Sequence, residues 1–140
     1  EAERGKSGAK RKLYSGQIPL VSARKQFNAF DSFVTVDENK IFKKSISVNN
    51  NGDGGAGLAF FHNYKYVATQ DVTALIEKEF MSNEAKLFMS VCITKQADKF
   101  GHGNKLNTKR LLHQKIMLPV TIDGKPDFNF MEEYISSIMN

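Results

Sequence analysis

The stretch Asn49–Gly57, which reads NNNGDGGAG, limits the fold of this chain more than any other feature. Glycine and asparagine tolerate the positive φ angles of tight reversals and weaken helices and strands, so the chain must turn here. Both flanks read as strands. Ile41–Val48 is β-branched, and the alternation of Ile46 and Val48 with Ser45 and Ser47 predicts a strand with one buried face; Leu58–His62 is aromatic-rich. A hairpin is therefore expected in the first half of the chain. Around it, Ile18–Val21 and Ser32–Val36 precede the hairpin, while Tyr64–Thr69 follows a polar corner at His62–Asn63 and leads to a further strand near Val72–Ile76. Pro19 predicts an edge position or a strand start, because proline cannot donate to a ladder. Glu1–Ser15, rich in Lys, Arg, Gly and Ser, reads as a flexible lead-in or loop.

Helical periodicity starts at an N-cap at Ser82 or Asn83. Leu87, Phe88, Val91 and Cys92 fall on one stripe, with Glu84 and Lys95 at the ends that suit the helix dipole. Cys92 lies on that stripe and reads as core. Lys99–Lys115 is basic and carries two glycines, as expected of a loop, and Ile116–Ile122 reads as a strand. After a turn at Asp123–Pro126, Asp127 caps a helix whose apolar positions Phe128, Met131, Tyr134, Ile135 and Ile138 keep helical spacing to the end. The expected fold is mixed α/β, a twisted sheet with a central helix and a C-terminal helix. With 140 residues, 41% of them hydrophobic, one domain is expected over 1–126, with 127–140 as the start of a departing helix. The single cysteine excludes an internal disulfide and a Cys-rich zinc site. No apolar run reaches membrane-spanning length and no signal segment opens the chain, so a cytoplasmic, membrane-free protein is expected. Glu1 in place of Met is expected of an excised or processed segment.

The glycine-rich turn imitates three ligand motifs and completes none. Gly52, Gly54 and Gly57 match G-x-G-x-x-G, with Asp71 downstream, but an aromatic strand follows where a dinucleotide fold needs a helix. Gly52 and Gly57 have Walker A spacing, yet Leu58 and Ala59 occupy the Lys and Ser/Thr positions. Asn49, Asn51, Asp53 and Gly54 echo a calcium loop whose bidentate Glu is replaced by Phe60. The histidines His62, His102 and His113 lack ligand spacing, and no nucleophile elbow is present. No catalytic residue, metal or cofactor is expected, and the chain reads as a binding module.

The charge points toward a polyanion. There are 20 Lys+Arg against 15 Asp+Glu, and the surplus lies before residue 116; beyond it Lys125 stands alone among Asp123, Asp127, Glu132 and Glu133. Arg24, Lys25 and Asn28, then Lys65, then Lys99, His102, Asn104, Lys105, Asn107, Lys109 and Arg110 place cations and amides together. Cations neutralise phosphates, while Arg with guanine and Asn with adenine read base edges.

Three segments carry a resemblance. SGQIPLVSAR at 15–24, ISVNNNGDGGAGLAFFHNYKYVATQDV at 46–72 and KIMLPVTIDGKPDFNFMEEYI at 115–135 resemble the framework of the DNA-specificity domain of type I restriction-modification systems. The third is also similar to specificity chains of the type IIB and IIG kind. The match runs from about Gly5 to the C-terminus in family order. The resemblance implies a target recognition domain that reads one half of a split double-stranded DNA site for methyltransferase and nuclease partners. It implies that the helix from Asp127 is the root of a spacer docking on the methyltransferase, with Tyr134, Ile135 and Ile138 as its contact residues. Ile18–Val21, Ile46–Val48 and Leu118–Val120 would be scaffold, and Lys105 and Arg110 would touch the DNA backbone. Base readers do not transfer between specificities; Arg24, Lys25, Asn28, Asn104 and Asn107 are chosen here for their chemistry.

A second reading makes the chain a protein-docking module for such partners, with Phe60, Phe61, Tyr64 and Tyr66 as an exposed aromatic patch. An enzyme acting on phosphorylated ligands is the weakest reading, since every phosphate motif fails.

Overall fold

The computed structural model describes residues 1–51, 55–97 and 111–139. Among the described residues, seven strands and two helices of twelve residues follow in order: β1 (Ala2–Arg4), β2 (Tyr14–Val21), β3 (Phe30–Thr35), β4 (Ser45–Asn49), β5 (Ala59–His62), β6 (Val67–Ala68), β7 (Val72–Leu75), α1 (Asn83–Thr94) and α2 (Phe128–Met139). The fold is mixed α/β, as the sequence predicts. The strands form two sheets instead of one. The first is antiparallel in the order β1-β7-β4-β5, and the second has the order β3-β2-β6, with β2 antiparallel to β3 and parallel to β6.

The expected hairpin is present, with Val48 opposite Ala59 and Ser45 opposite His62. Gly57 closes it at φ 87, and its N–H donates to the Asn49 carbonyl. Its alternation differs from expectation, because every residue of β4 is buried. One face, through Ile46 and Val48, packs with Ala59, Ile93 and Leu111 beneath α1. The other carries Ser45 and Ser47, and the second sheet covers it with a core of Val21, Phe42, Tyr66, Ala68 and Val72. A third cluster, Leu20, Val34 and Val67, lies within the second sheet. The sheets are thus layered against each other, and serines are tolerated between them only because each hydroxyl finds a partner.

Four sequence expectations are corrected. Residues 1–15 are not simply a lead-in: β1 pairs with β7, Gly5 N–H donates to Val72 O, and Lys10–Lys12 form a 3-10 turn. Gly5 is required there, since a Cβ would stand 1.9 Å from the Thr69 carbonyl oxygen. Pro19 lies in the central strand of its sheet, where it is accommodated because β6 pairs only with Leu20 and Val21. The buried residues of α1 are Ala85, Lys86, Ser90 and Ile93, not the predicted stripe, and Val91 is 50% exposed. Small residues let the helix approach the sheet, and Phe88 instead meets Phe130 and Tyr134 of α2 edge-on. Ile116–Ile122 is not a strand; among the described residues its one ladder contact is the bridge Val120–Pro126. Its hydrogen bonds serve its own turn, Thr121 N–H to Lys125 O and Asp127 N–H to Pro119 O, leaving Met117, Val120 and Ile122 exposed. Leu118–Val120 is therefore not sheet scaffold.

The helix caps follow the sequence. Ser82 Oγ accepts from Ala85 N–H at 3.1 Å, and Asp127 Oδ1 accepts from Phe130 N–H at 3.0 Å. Met131 and Ile135 are buried, so α2 packs as part of the same globule as α1.

Candidate functional site

Strand register brings four connections to one end of the layered sheets. Asn49 of β4 pairs with Val72 of β7, Val48 with Ala59, Arg4 with Thr73, and Val21 of β2 with Ala68 of β6. The segments 5–13, 22–29, 50–51 with 55–58, and 69–71 therefore emerge together, and backbone and amide groups lock them. Asn49 Nδ2 donates to Arg24 O at 2.9 Å, Asn50 N–H to Asp71 O at 2.8 Å, Asn51 Nδ2 to Asp71 Oδ1 at 3.0 Å, and Arg4 Nε to Gln70 O at 2.8 Å. Ser7 N–H donates to Ala68 O. The result is a braced rim. Asparagine is suited to it, because one amide can bridge two backbones without a second strand.

The rim is rich in exposed cations. Arg24 and Lys25 project from 22–29, and among the described residues neither makes an ion pair. Lys10, Arg11 and Lys12 stand on the neighbouring 3-10 turn. Lys10 pairs with Asp31, which also accepts from Ser22 Oγ at 3.1 Å. Although burial pushes the Asp31 carboxyl up, hydrogen bonds from Lys10, Ser22 and Ser32 hold it below its ordinary value. The C-terminal turn of α1 reaches the same end: Thr94 Oγ1 bonds both N–H and O of Ala59, and Lys95 shares a cleft with Lys25 and Leu58.

The loop 22–29 has an unusual backbone. Phe27, Asn28 and Ala29 have φ of 56, 54 and 62, a left-handed turn with no glycine in it. Such residues cost about 1–2 kcal/mol each relative to right-handed backbone, so the surroundings must impose the turn. Ala29 is fully buried, with its N–H on Gln26 O and its carbonyl accepting from Ser22 N–H. Asn28 caps the free edge of β5: its Nδ2 donates to Phe61 O at 3.0 Å and lies 3.3 Å from both His62 Nδ1 and Tyr64 Oη. The edge strand is thereby covered. Phe27 is left 71% exposed, with the Arg24 guanidinium 5.6 Å from its ring centre. That guanidinium is held by Nη1 donating to Phe30 O at 3.1 Å.

Beneath the loop runs a closed polar seam. His62 is fully buried, its Nε2 2.7 Å from Ser47 Oγ and its Nδ1 3.0 Å from Tyr64 Oη. Its ring lies 4.5 Å from that of Tyr66, whose hydroxyl meets Ser45 Oγ at 2.7 Å. Burial pushes the His62 pKa down to about 4, so the ring is neutral near pH 7, and burial raises the Tyr66 phenol. Its polar groups satisfy one another around a fully buried ring, as in a packing seam.

Of the residues selected from sequence, Arg24 and Lys25 lie on the rim, whereas the Asn28 amide is engaged in bracing β5. Lys65 is exposed in the turn after β5, at the far end of that strand from the Asn50–Leu58 connection. Lys99, His102, Asn104, Lys105, Asn107, Lys109 and Arg110 lie outside the described residues. On α2, Tyr134 and Ile138 are 48% and 62% exposed, but Ile135 is 6% exposed and belongs to the interior, so it is not available as a contact residue. The aromatic docking patch does not form: Tyr66 is fully buried and Phe60 packs in the inter-sheet core. Cys92 is half-buried and burial pushes its thiol up.

Sequence reasoning missed Lys10, Arg11, Lys12 and Phe27. The run Lys10-Arg11-Lys12 after Gly8 was the available signal for the first three, and nothing in the sequence marks Phe27. Among the described residues no cluster of His, Cys, Asp and Glu could hold a metal ion, and no helix is long and apolar enough to cross a membrane.

Comparison with known proteins agrees with the framework segments. The family model of the type I restriction modification DNA specificity domain matches residues 1–140. The chain is 35% identical over 126 residues to the "Type II restriction enzyme BgcI specificity subunit S.BcgI" of Heyndrickxia coagulans, a match covering 89% of this chain and 36% of that protein. The chain thus spans about a third of the length of this relative. A braced loop rim on a two-sheet scaffold, matched end to end by that family model, places the chain in the type I restriction-modification DNA specificity domain family.

Proposed function

We propose that the chain is a non-catalytic reader of double-stranded DNA in the cytoplasm, recognising one half-site for a restriction-modification assembly. The observation that carries this reading is the gathering of Arg24, Lys25 and the Lys10–Lys12 turn on one braced rim, built on a scaffold of the specificity-domain family. Cations at such a rim neutralise backbone phosphates, and a rigid loop presents side chains to base edges with little ordering cost on binding. Arg24 and Lys25 are assigned to DNA contact, with Asn28 as the brace that sets their height. Lys99, His102, Asn104, Lys105, Asn107, Lys109 and Arg110 extend the contact by their chemistry, Lys105 and Arg110 toward phosphates. Lys65 is a flanking phosphate contact. Methyltransferase and nuclease partners dock on the outer face of α2, through Tyr134 and Ile138.

The test is selection of bound duplexes from a random library by the purified chain at low salt, followed by a salt titration on the enriched sequences. The reading predicts enrichment of a short motif and an affinity that falls as salt rises, by about 0.9 in log–log slope per phosphate neutralised. Absence of binding even at low salt would overturn it.

A further inference from the structure

We propose that Phe27 is a specificity residue, its ring seated against the C5 methyl group of a thymine in the major groove, with the Arg24 guanidinium presented to the neighbouring base pair. This rests on the DNA-reading function proposed above and names a contact within it.

The turn at 27–29 does more than connect β2 to β3. Three consecutive left-handed non-glycine residues persist only because Ser22, Gln26 and the β5 edge hold them, and the outcome is a large aromatic ring 71% exposed beside a fully buried Ala29. Strain concentrated where it fixes one outward side chain marks a functional position. Phe27 belongs to none of the three core clusters, so its ring contributes little to packing.

The ring's surroundings decide the ligand. Arg24 lies against it and the exposed Lys25 stands two residues before it, which disfavours an apolar protein surface and suits a polyanion. The guanidinium lies over one face of the ring, which disfavours insertion of Phe27 between base pairs, where both faces would stack. The free face and edge remain. In the major groove the apolar feature a phenyl ring can meet is the thymine methyl, and the adjacent guanidinium has the geometry for guanine O6 and N7. Only Nη1 of Arg24 donates within the described residues, to Phe30 O, so Nε and Nη2 are available for a base.

The experiment uses the duplexes enriched by the chain from a random library, with each thymine replaced in turn by uracil, which deletes only the methyl. One thymine position is expected to weaken binding about fourfold, the ratio that burial of one methyl-sized group corresponds to. Phe27→Gly and Phe27→Asn keep the left-handed backbone, so both should fold with an unchanged or higher melting temperature. Both should bind the thymine and uracil duplexes alike. If the chain enriches a motif but no position loses methyl sensitivity in these variants, the Phe27 assignment is wrong while DNA reading stands. If the chain enriches nothing, both fall together. A drop in melting temperature for Phe27→Gly with methyl sensitivity retained would make the ring a structural cover for Arg24 and also overturn the proposal.

Discussion

Two regions that adjoin through Asn28 treat polar groups in opposite ways. In the seam between the sheets, His62, Ser47, Tyr66, Ser45 and Tyr64 satisfy one another, and the imidazole is fully buried. On the rim, Arg24 and Lys25 stand in solvent without an ion-pair partner among the described residues. Asn28 belongs to both, since its backbone shapes the strained turn and its amide reaches the seam. The difference separates what holds the fold from what is available for a ligand: closed networks make a rigid base, and the cations on that base stay open to solvent.

Emptying the seam has the largest expected effect. His62→Ala removes a buried ring and orphans the Ser47 hydroxyl, and should cost about 3–5 kcal/mol of unfolding free energy, read by denaturant titration. A loss under about 1 kcal/mol would mean the seam is not structural. Acid should act on the same group. Because its folded pKa of about 4 lies below the unfolded 6.5, the unfolded chain binds the extra proton between these values. Stability is therefore complete above about pH 6.5 and falls by roughly 3 kcal/mol as pH drops to about 4. Thermal melts across that window should show a slope that is absent in His62→Gln.

Smaller changes sharpen the boundary between the regions. Asn28→Ala loses the brace and the residue best suited to positive φ, and should cost about 2 kcal/mol; Asn28→Gly keeps the backbone freedom and should cost about 1 kcal/mol. Both should weaken DNA binding through loss of loop position, with Gly the milder of the two. On the rim itself, Lys25→Ala should leave stability within about 0.5 kcal/mol while lowering the salt slope of DNA binding by about one phosphate. The least consequence is expected outside both regions, where Ile122→Thr on the exposed segment should change stability by under about 0.5 kcal/mol. A large loss there would mean that the exposed segment around Ile122 packs more than its exposure shows.

What the sequence disclosed follows from how local each signal is. The hairpin around Asn49–Gly57, the caps at Ser82 and Asp127, and the strands of β2, β3, β5 and β7 are set by short-range chemistry and were legible. The division into two sheets was not, because Ser45 and Ser47 look like a solvent face until His62 and Tyr66 arrive from elsewhere in the chain. Ile116–Ile122 has the composition of a strand, but composition cannot supply a neighbour to pair with, and the segment bonds to its own turn. The α1 stripe was misjudged because α2 packs on Phe88, dividing the helix between two partners. At the site, Arg24 and Lys25 were identifiable as charges after a strand. The bracing role of Asn28 and the exposure of Phe27 depend on a left-handed turn that no local propensity of Gln-Phe-Asn-Ala announces.

In the proposed function the rim, and not the seam or the outer face of α2, meets DNA. Hydrogen–deuterium exchange of the chain with and without an enriched duplex measures this directly. The account predicts added protection at the amides of 22–28, 55–58 and 69–71, with β4 and β5 unchanged. Protection confined to α2 and to 116–122, with the rim loops exchanging as before, would contradict it.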